Sequence, residues 1–474
     1  MPEADVCIGA THLIDDKDKM AFDKEIDFEE ALIARLAQKG WEPETLNQPT
    51  EEELIRNWAE IIYRNNNTID RLNNAPLTST EIEQLLTQIA ELRTPVALCG
   101  WINGQTTSIK RDNPDDPHHL GKEVSLKLFD PKEIAAGQSR YQIARQPRFR
   151  RATPLAQDRR GDVMLLINGM PLIHIELKKS GIPVSQAYHQ IEKYSREQLF
   201  TGIYGLIQIF VAMTPTETVY FANPGIDGRF NIDFYFHWAD FNNTPRNDWD
   251  YIATYLLSIP MAHQLIGYYT IADKSDGILK VLRSYQYEAV RAIYDKVVMH
   301  RDWTTEDGQL GGYIWHTTGS GKTMSSFKAA QLIAATNQAD KVVFVIDRIE
   351  LGTQSAREYR DFSGCESDIR ETEDTATLIS LLKASNTTDQ LIVTSIQKLA
   401  LIASSESNRQ TLQMQMPRRL VFIVDECHRS TFGDSFAEIK ATFPRAMFFG
   451  FTGTPIQAEN QRRGNTTTDI FVIR

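Results

Sequence analysis

Residues 315–323 decide the fold and read Trp315-His316-Thr317-Thr318-Gly319-Ser320-Gly321-Lys322-Thr323. The apolar segment 312–315 before them predicts a strand, and 324–336 after them predicts a helix. Glycines between a strand and a helix let backbone N–H groups converge on phosphate oxygens, and a lysine adds charge for the β- and γ-phosphates. This order predicts a phosphate-binding loop. The alternative, a Gly/Ser turn before an ordinary helix, explains the glycines but not the order of strand, loop and helix.

Several side chains of this loop are candidate nucleotide contacts. They are Thr318, Gly319, Ser320, Gly321, Lys322 and Thr323, and the Thr323 hydroxyl is also a candidate Mg²⁺ ligand. His316 stands where the strict GxxxxGK[ST] pattern has its first glycine. Upstream, Arg283-Ser284-Tyr285-Gln286 opens a predicted helix and resembles the Q-motif, in which the glutamine reads adenine. An ordinary amphipathic helix start explains Arg283 and Gln286 nearly as well.

Later motifs resemble those of superfamily 2 helicases and translocases, which often relax the first glycine. The apolar run 420–424 ends in Asp425-Glu426-Cys427-His428, which resembles motif II. In that motif, Asp425 would bind Mg²⁺ and Glu426 would orient and deprotonate the attacking water. A second apolar run, 448–451, precedes Thr452-Gly453-Thr454-Pro455, which resembles motif III. The resemblance implies that His428, Thr452, Gly453 and Thr454 couple hydrolysis to movement.

Two more predicted strands precede possible DNA contacts. Segment 341–346 is followed by a motif Ia-like stretch containing Arg348, and 391–394 by a motif Ib-like stretch containing Gln397 and Lys398. Strands that alternate with helices predict an α/β fold with a doubly wound parallel sheet, which binds nucleotide at the carboxyl ends of its strands. This region is therefore predicted to be a RecA-like lobe.

A second chemical site is predicted in residues 161–178. Two apolar runs flank Asn168-Gly169, the strongest short hairpin signal. A tight loop there pairs positions whose numbers sum to roughly 337 to 339, which puts Asp162 opposite residues 175–177. Glu176 and Lys178 point to one face of their strand. Two carboxylates, Asp162 and Glu176, would bind a hard cation, and the lysine would position or activate water for phosphodiester hydrolysis. The alternative is a surface salt bridge between Glu176 and Lys178.

These residues resemble the motif of the PD-(D/E)xK nuclease superfamily, with Gly161 in place of the proline. Gln190 and Tyr194 match the QxxxY element of its RecB-like branch, and their spacing places both on one helix face. A polar pair on a helix surface remains the alternative. The resemblance also implies a supporting early-helix glutamate at Glu29. An arginine-rich run at 140–160 is a candidate phosphate-tracking face with Arg148, Arg150 and Arg151, although a charge run is more often a solvated face.

Length and composition set the domain organisation. With 474 residues, two or more domains are expected, and a net charge of −11 confines DNA contacts to local patches. The four cysteines lack metal-ligand spacing, and without a long apolar run or signal peptide the chain is predicted to be cytoplasmic and away from membranes. The predicted divisions are an acidic leader 1–27, a nuclease domain 28–265 with a helical insertion at about 47–95, and a RecA-like lobe 266–474.

Nuclease and motor motifs in this order resemble the restriction (R) subunit of type I restriction-modification enzymes. The resemblance implies ATP-driven translocation of double-stranded DNA, Mg²⁺-dependent cleavage, and assembly with methylation (M) and specificity (S) subunits. S-adenosylmethionine would bind in the holoenzyme but not to this chain. A second RecA-like lobe does not follow the motif III-like stretch before Arg474, so the chain is expected to bind nucleotide weakly and hydrolyse it negligibly.

Two other functions fit the same motifs. A stand-alone superfamily 2 helicase-nuclease of DNA repair or phage defence would share every catalytic residue but would not co-purify with M and S subunits. A non-catalytic DNA-binding scaffold would show no Mg²⁺-dependent cleavage. The restriction subunit is the favoured hypothesis, because several motifs in the right order and spacing rarely arise by chance.

Overall fold

The computed structural model of the chain describes most, but not all, of its residues. The described ranges are 21–104, 107–133, 138–150, 159–225, 228–300, 311–317, 319–346, 369–372, 374–384, 391–415, 419–425, 427 and 433–453. Six of the predicted site residues lie outside them, namely Arg151, Thr318, Arg348, Glu426, His428 and Thr454.

The N-terminal part of the chain is built on a six-stranded mixed sheet in the order β1-β4-β5-β6-β7-β8. Its strands are β1 (Leu46–Asn47), β4 (Tyr141–Arg145), β5 (Val163–Ile167), β6 (Met170–Leu177), β7 (Ile209–Met213) and β8 (Thr218–Ala222). The pairs β1/β4 and β6/β7 are parallel, whereas β4/β5, β5/β6 and β7/β8 are antiparallel. Every residue of β5, β6 and β7 is buried, as their apolar runs predict. The sheet is therefore mixed, and its central strands are fully covered. A separate hairpin joins β2 (Thr107–Lys110) to β3 (Glu123–Leu126).

Seven helices accompany this sheet in the described part of the chain. They are α1 (Glu25–Gln38), α2 (Glu51–Asn65), α3 (Ser79–Glu91), α4 (Pro95–Asn103), α5 (Val184–Arg196), α6 (Trp249–Thr254) and α7 (Met261–Gly267). Helix α3 begins with a capping box in which Thr78 and Glu81 exchange hydrogen bonds. Thr50 and Glu53 form the same arrangement at α2. Reciprocal satisfaction of two backbone donors fixes where each helix begins.

Residues near both ends of the predicted nuclease domain pack close to α1. Phe22, inside the predicted leader, is buried and packs against Phe28 and Trp249, with ring centroids 5.0 and 5.8 Å away. Near the C-terminal end of that domain, the Leu257 carbonyl accepts a 2.6 Å hydrogen bond from the Trp41 indole. One aromatic side chain is enough to anchor an otherwise acidic stretch, because its burial removes a large apolar surface from water. Phe22 and helix α6 therefore pack against α1.

The C-terminal part contains a six-stranded parallel sheet in the order β11-β16-β15-β12-β14-β13. Its strands are β11 (Gly311–Trp315), β12 (Lys341–Ile346), β13 (Ile369–Glu371), β14 (Leu391–Ser395), β15 (Leu420–Val424) and β16 (Met447–Thr452). Successive residues of β12 enter different cores, Val342 and Phe344 on one side and Val343 and Val345 on the other. Both faces are covered, so the predicted doubly wound parallel sheet is confirmed.

Six helices surround this sheet among the described residues, and an antiparallel hairpin precedes them. The hairpin joins β9 (Thr270–Asp273) to β10 (Ile278–Val281). The helices are α8 (Ser284–Met299), α9 (Lys322–Ala335), α10 (Thr375–Lys383), α11 (Ile396–Ala403), α12 (Glu406–Gln415) and α13 (Gly433–Thr442). Nowhere in these described ranges is a helix both long and apolar enough to cross a bilayer.

The predicted turn between β5 and β6 is confirmed. Asn168 and Gly169 both have left-handed backbones, with φ of 53° and 79°, as a two-residue type I′ hairpin requires. Val163 pairs with Ile175 and Ile167 with Met170, across a bulge at Leu165/Leu166. These pairs lie within the predicted register, so Asp162 is opposite Glu176.

Gly169 is also in close contact with α2, and this contact provides a stability test. A Cβ at position 169 would lie 2.8 Å from the Trp58 Cα, whereas one at Gly181, also at φ 79°, would meet nothing within 4 Å. We expect Gly169→Ala to lower the free energy of unfolding by about 1–3 kcal/mol more than Gly181→Ala, because both are strained but only the first collides with backbone. Denaturant titration measures both, and equal losses would contradict this packing.

Candidate functional site

The hairpin brings the three predicted nuclease residues together. Asp162 stands one position before the Val163/Ile175 pair, and its Oδ2 accepts a 2.7 Å hydrogen bond from the Leu177 N–H. The Lys178 Nζ lies 3.7 Å from the Glu176 Oε1 and donates to the Leu177 carbonyl at 2.7 Å. Glu176 is 0% exposed, so it does not form the surface salt bridge that was the alternative. The geometry is that of a buried acidic pair beside a lysine.

Burial dominates the electrostatics of this cluster. It raises the pKa of Glu176 to about 8, and the positive charge of Lys178 offsets only part of that rise. Burial and the neighbouring Glu176 charge hold the pKa of Asp162 well above its ordinary value. Two adjacent carboxylates in a low-dielectric site cannot both ionise cheaply without a compensating cation. The metal-free site therefore favours protonated carboxyl groups at neutral pH.

The donor set fits a divalent cation. Both carboxylate oxygens of Glu176 are buried without a hydrogen-bond partner in the described part of the chain. Orphaned buried oxygens are rare, and a hard cation such as Mg²⁺ is the partner that two carboxylates bind. The described residues contain no cluster of three His, Cys, Asp or Glu side chains suited to a metal. Water would have to complete the coordination of an ion held by Asp162 and Glu176, as Mg²⁺ commonly allows.

His174 belongs to the site but was not predicted. Its Nε2 lies 3.3 Å from the Glu176 Oε2, and the ring is fully buried. A Cβ at Gly161 would approach the His174 Cε1 to 2.6 Å, which explains why glycine occupies the position where the nuclease motif has proline. Burial lowers the pKa of His174 to about 4, so the imidazole is neutral at pH 7. The alternation of His174 and Glu176 along β6, continued by Lys178 directly after the strand, was the available signal.

The acidic residue of α1 beside the lysine is Glu25. Its Oε1 lies 3.7 Å from the Lys178 Nζ. Glu29, the predicted supporting residue, is one helical turn further on, where its carboxylate pairs with Arg145 and accepts from the Gln146 amide at 3.2 Å. Glu29 therefore lies at the end of β4, and the contact with Lys178 is made by a residue that the sequence analysis assigned to the leader.

Gln190 and Tyr194 connect α5 to the segment that precedes Asp162. The Gln190 Nε2 donates to the Tyr194 hydroxyl at 2.6 Å, and that hydroxyl donates to the Arg160 carbonyl at 2.9 Å. Tyr194 is buried, and burial raises its pKa, so the hydroxyl remains a donor at neutral pH. A simple surface pair does not describe this arrangement, because the tyrosine fixes the backbone two residues before Asp162.

The arginine-rich run does not form one continuous face. Arg140 binds Glu42 at 2.8 Å, Arg159 binds Glu197 at 2.9 Å, and Arg145 pairs with glutamates of α1. These are long-range ion pairs that sequence spacing does not reveal. Arg148 and Arg150 are exposed, and Arg148 donates to the Gln48 amide oxygen at 2.9 Å. The phosphate-tracking prediction is thereby restricted to Arg148 and Arg150, with Arg151 outside the described residues.

The phosphate-binding loop has the predicted backbone. Gly319 and Gly321 both have φ of 80°, and α9 begins at Lys322 with Thr323 in its first turn. The Ser320 N–H donates to the Thr317 carbonyl at 3.2 Å, which closes the turn. Left-handed glycines at these two positions let the loop curl at the N-terminus of a 14-residue helix, the geometry that binds anions.

Gln286 braces this loop. Its Nε2 donates to the Ser320 carbonyl at 2.9 Å, while its Oε1 accepts from the Arg283 N–H at 3.0 Å. A Cβ at Gly321 would approach the same Nε2 to 2.4 Å. Beside the loop lies a cavity of about 510 Å³ lined by Phe236, Arg283, Gln286 and residues 319–321, among others. The Arg283 guanidinium stacks on Phe236 at 4.6 Å. Arg283 and Gln286 thus lie where a nucleotide on the loop would extend.

Those residues of motifs II and III that the structure describes lie at the same sheet edge. Asp425 directly follows β15, and its N–H donates to the Val345 carbonyl at 2.9 Å. The His316 N–H donates to the Thr452 carbonyl at 2.9 Å, and the Trp315 indole to the Gly453 carbonyl at 3.2 Å. Parallel strands meet at this edge, so the loop, Asp425 and residues 452–453 adjoin one another.

His316 and the motif Ib-like residues complete this edge. Burial and the Lys322 charge lower the pKa of His316 to about 4, and its ring packs on Tyr285 at 5.3 Å. A neutral, buried imidazole therefore fills the first glycine position. Gln397 and Lys398 lie in the first turn of α11, after β14, where the Lys398 ammonium donates to the Thr372 carbonyl.

The two halves define a class of protein. A mixed sheet with an Asp, Glu and Lys cluster precedes a parallel sheet with a phosphate-binding loop, so the chain joins a nuclease-type domain to a RecA-like motor lobe. Two family models match in the same order. "Type I restriction enzyme R protein N terminus" matches residues 24–229, and "SWI2/SNF2 ATPase" matches residues 285–472.

Curated relatives identify the family. The chain is 35% identical to the type I restriction enzyme SsaAORF53P endonuclease subunit of Staphylococcus saprophyticus, over 95% of this chain and 45% of that one. It is 34% identical to the SauMSSORF170P endonuclease subunit of Staphylococcus aureus, with the same coverage. It is 28% identical to the type I restriction enzyme EcoprrI endonuclease subunit of Escherichia coli, over 62% of this chain and 88% of that one. The chain belongs to the family of type I restriction enzyme endonuclease subunits and spans somewhat under half the length of the staphylococcal relatives.

The raised pKa of Glu176 predicts how stability depends on pH. The unfolded state loses this proton near the ordinary value of 4.5 and the folded state near 8, so stability without metal falls as pH rises between them. We expect Glu176→Gln to remove that dependence and, at pH 8 in EDTA, to stabilise the chain by on the order of a few kcal/mol. Denaturant unfolding from pH 5 to pH 8.5 measures this, with Glu83→Gln, on an exposed position of α3, as control. If the free energy of unfolding depends on pH in the same way for the wild type and for Glu176→Gln, the raised pKa of Glu176 is contradicted.

Proposed function

We propose that the chain is the nuclease and first motor lobe of a type I restriction enzyme. In this function, ATP-dependent translocation of double-stranded DNA accompanies Mg²⁺-dependent endonucleolytic cleavage of unmodified foreign DNA. The observation that carries the proposal is the buried cluster of Asp162, Glu176 and Lys178 in one chain with the phosphate-binding loop. Relatives named as endonuclease subunits support it.

The nuclease chemistry would use the hairpin cluster. Asp162 and Glu176 would hold Mg²⁺, which supplies charge to polarise the scissile phosphate and to lower the pKa of a bound water. Lys178, with its ammonium between the Glu176 and Glu25 carboxylates, would orient the attacking water by donating a hydrogen bond to it. The Leu177 N–H fixes the Asp162 carboxylate, and Tyr194 fixes the backbone before it, so the cluster is preorganised.

The nucleotide chemistry would use the parallel sheet's carboxyl edge. Backbone N–H groups of residues 318–322 and the Lys322 ammonium would bind the triphosphate of ATP, while Thr323 and Asp425 would hold its Mg²⁺. Glu426 would be the base that activates water. The cavity beside Arg283 and Gln286 has room for the base and ribose. His428, Thr452, Gly453 and Thr454 would couple this site to DNA movement, with Arg348, Gln397 and Lys398 on the DNA backbone.

The proposed partners are double-stranded DNA and the M and S subunits, in the cytoplasm. S-adenosylmethionine would bind elsewhere in the holoenzyme. A stand-alone helicase-nuclease would use the same residues. Purification of the native protein separates the two functions, because only a restriction subunit is expected to bring a methyltransferase and a specificity subunit with it.

The first functional prediction concerns cutting. We expect Asp162→Ala, Glu176→Ala or Lys178→Ala each to abolish DNA cleavage in the assembled enzyme, because each removes a metal ligand or the water-orienting ammonium. ATP hydrolysis should stay near normal, since the phosphate-binding loop lies on another sheet. Gel assays of cleavage and phosphate-release assays of ATP hydrolysis test this. The control is Lys322→Ala, which should lose ATP hydrolysis. Cleavage retained by Glu176→Ala would refute the nuclease assignment.

The second functional prediction concerns the exposed arginines. Neutralising Arg148, Arg150 and Arg151 together should weaken DNA binding equally across sequences. The slope of log affinity against log salt concentration should become shallower by an amount that corresponds to the loss of up to about three phosphate contacts. Arg159→Gln is the matched control, because Arg159 already binds Glu197. Titrations of duplex affinity against salt concentration measure the slope. If the slope is the same in the triple variant and the wild type, these arginines form a solvated face.

A further inference from the structure

Two glutamines at the ends of neighbouring strands have an unusual backbone. Gln48 follows β1 and Gln146 follows β4, with φ of 47° and 48°. Among the described residues, eight other than glycine have positive φ. Five are asparagines, whose short side chain tolerates this region, and three are glutamines, which do not share that tolerance. Two of these three glutamines form the present pair, so the strain is concentrated at one place.

The side chains of the pair are bonded to each other and to charged neighbours. The Gln48 Nε2 donates to the Gln146 Oε1 at 3.2 Å. The Gln146 Nε2 donates to the Glu29 carboxylate at 3.2 Å, and the Arg148 Nη2 donates to the Gln48 Oε1 at 2.9 Å. Each amide is thus held in one orientation. A glutamine amide nitrogen has two N–H groups, and the Gln48 Nε2 makes one hydrogen bond within the described residues.

Strand register places the pair in line with the nuclease cluster. Asn47 pairs with Arg145, Arg145 with Val163, and Val163 with Ile175. The next residue level across the same four strands is Gln48, Gln146, Asp162 and Glu176, and the Gln146 N–H donates to the Asp162 carbonyl at 2.7 Å. Neighbouring strands lie about 4.8 Å apart, so Gln146 is roughly 10 Å from Glu176 across the sheet. Successive phosphates of one DNA strand are displaced by ~3.4 Å along the helix axis and also rotate about it, so a backbone group bound at the pair would lie within a few nucleotides of one bound at the cluster.

An open polar cavity lies over the pair. It measures about 520 Å³, and its lining includes Asn47, Gln48, Thr50, Arg145, Gln146 and Arg148. The acidic groups around it have partners. Glu53, also in the lining, accepts from the Thr50 N–H at 2.8 Å, and Glu29 is paired with Arg145. The exposed guanidinium of Arg148 supplies positive charge at the rim.

We propose that Gln48, Gln146 and Arg148 form a binding site for the sugar-phosphate backbone of the DNA strand that is cut, within a few nucleotides of the scissile phosphate. This inference rests on the proposed nuclease function. Neutral amides suit the position, because they donate hydrogen bonds to phosphate oxygens without forming ion pairs with the carboxylates of the same row. Phosphate contacts set register and carry no sequence information, so the site would position any DNA sequence over Asp162 and Glu176.

Glycine substitution separates a ligand role from a turn role. A glycine at either position would adopt the left-handed backbone without strain, so a pair needed only for the turn should tolerate Gln48→Gly with Gln146→Gly. Gln198→Gly is the matched control, because Gln198 also has positive φ, at 57°, but is exposed just after the end of α5. We would measure duplex DNA affinity of the whole chain by fluorescence anisotropy in Ca²⁺, cleavage by the assembled enzyme in Mg²⁺, and thermal unfolding.

For the double variant, we expect an unfolding midpoint no lower than that of the wild type. The DNA concentration for half-maximal binding and cleavage should rise about tenfold, as for a lost hydrogen bond to a charged group. Gln198→Gly should bind and cleave as the wild type does. Unchanged half-saturation in the double variant would overturn the inference, as would a loss of affinity that Gln198→Gly shares.

A parallel Glu176→Gln variant keeps this test separate from the nuclease assignment. If it cleaves normally, the proposed nuclease function fails. If it loses cleavage but keeps DNA affinity, while the double glycine variant keeps both, only the glutamine site fails. A double variant that loses affinity while Glu176→Gln keeps it supports the inference.

Discussion

The two-residue turn at Asn168-Gly169 is the constraint on which the nuclease site depends. Side chains alternate along a strand, so a slip of one residue in the β5/β6 register would turn Glu176 and Lys178 to the opposite face from Asp162. The turn permits little slippage, because both of its residues need positive φ and Gly169 packs against the Trp58 backbone. Helix α2, which the sequence suggested only as an insertion, thereby helps to set the register of the acidic pair.

Burying Asp162 and Glu176 side by side destabilises the fold electrostatically when no metal ion is bound. Glu176 is fully buried, its oxygens have no hydrogen-bond partner among the described residues, and its pKa is raised to about 8. A structure selected for stability alone would place an apolar residue there. The cost is consistent with a site suited to a cation, since metal binding would deprotonate the carboxyls and remove the penalty. Stability and metal affinity are therefore linked through the same two side chains.

The sequence predicted those parts of the fold that are encoded locally. Apolar runs predicted β5, β12 and β15, the Asn-Gly turn predicted the hairpin register, and glycines at 319 and 321 predicted the phosphate-binding loop. Contacts between residues far apart in the sequence could not be predicted in this way. Arg145 and Arg159 were predicted to face DNA with the rest of their run, but each pairs with a glutamate from another helix or its end. Glu25 rather than Glu29 approaches Lys178, because the start of α1 and its packing angle set which turn lies over β6. Positive φ at Gln48 and Gln146 also left no pattern in the sequence.

The motor site shows how one side chain can both shape a loop and remain available to a ligand. Gln286 uses one N–H for the Ser320 carbonyl and one oxygen lone pair for the Arg283 N–H. A glutamine amide has two N–H groups and two oxygen lone pairs, so these two hydrogen bonds leave one N–H group and one lone pair for other partners. The loop is therefore held in its curled form before nucleotide arrives, which lowers the entropy lost on binding. Gly321 is required for the same reason, because any Cβ there would displace the amide that holds the loop. The curled form of the loop thus depends on the contact between α8 and the N-terminus of α9.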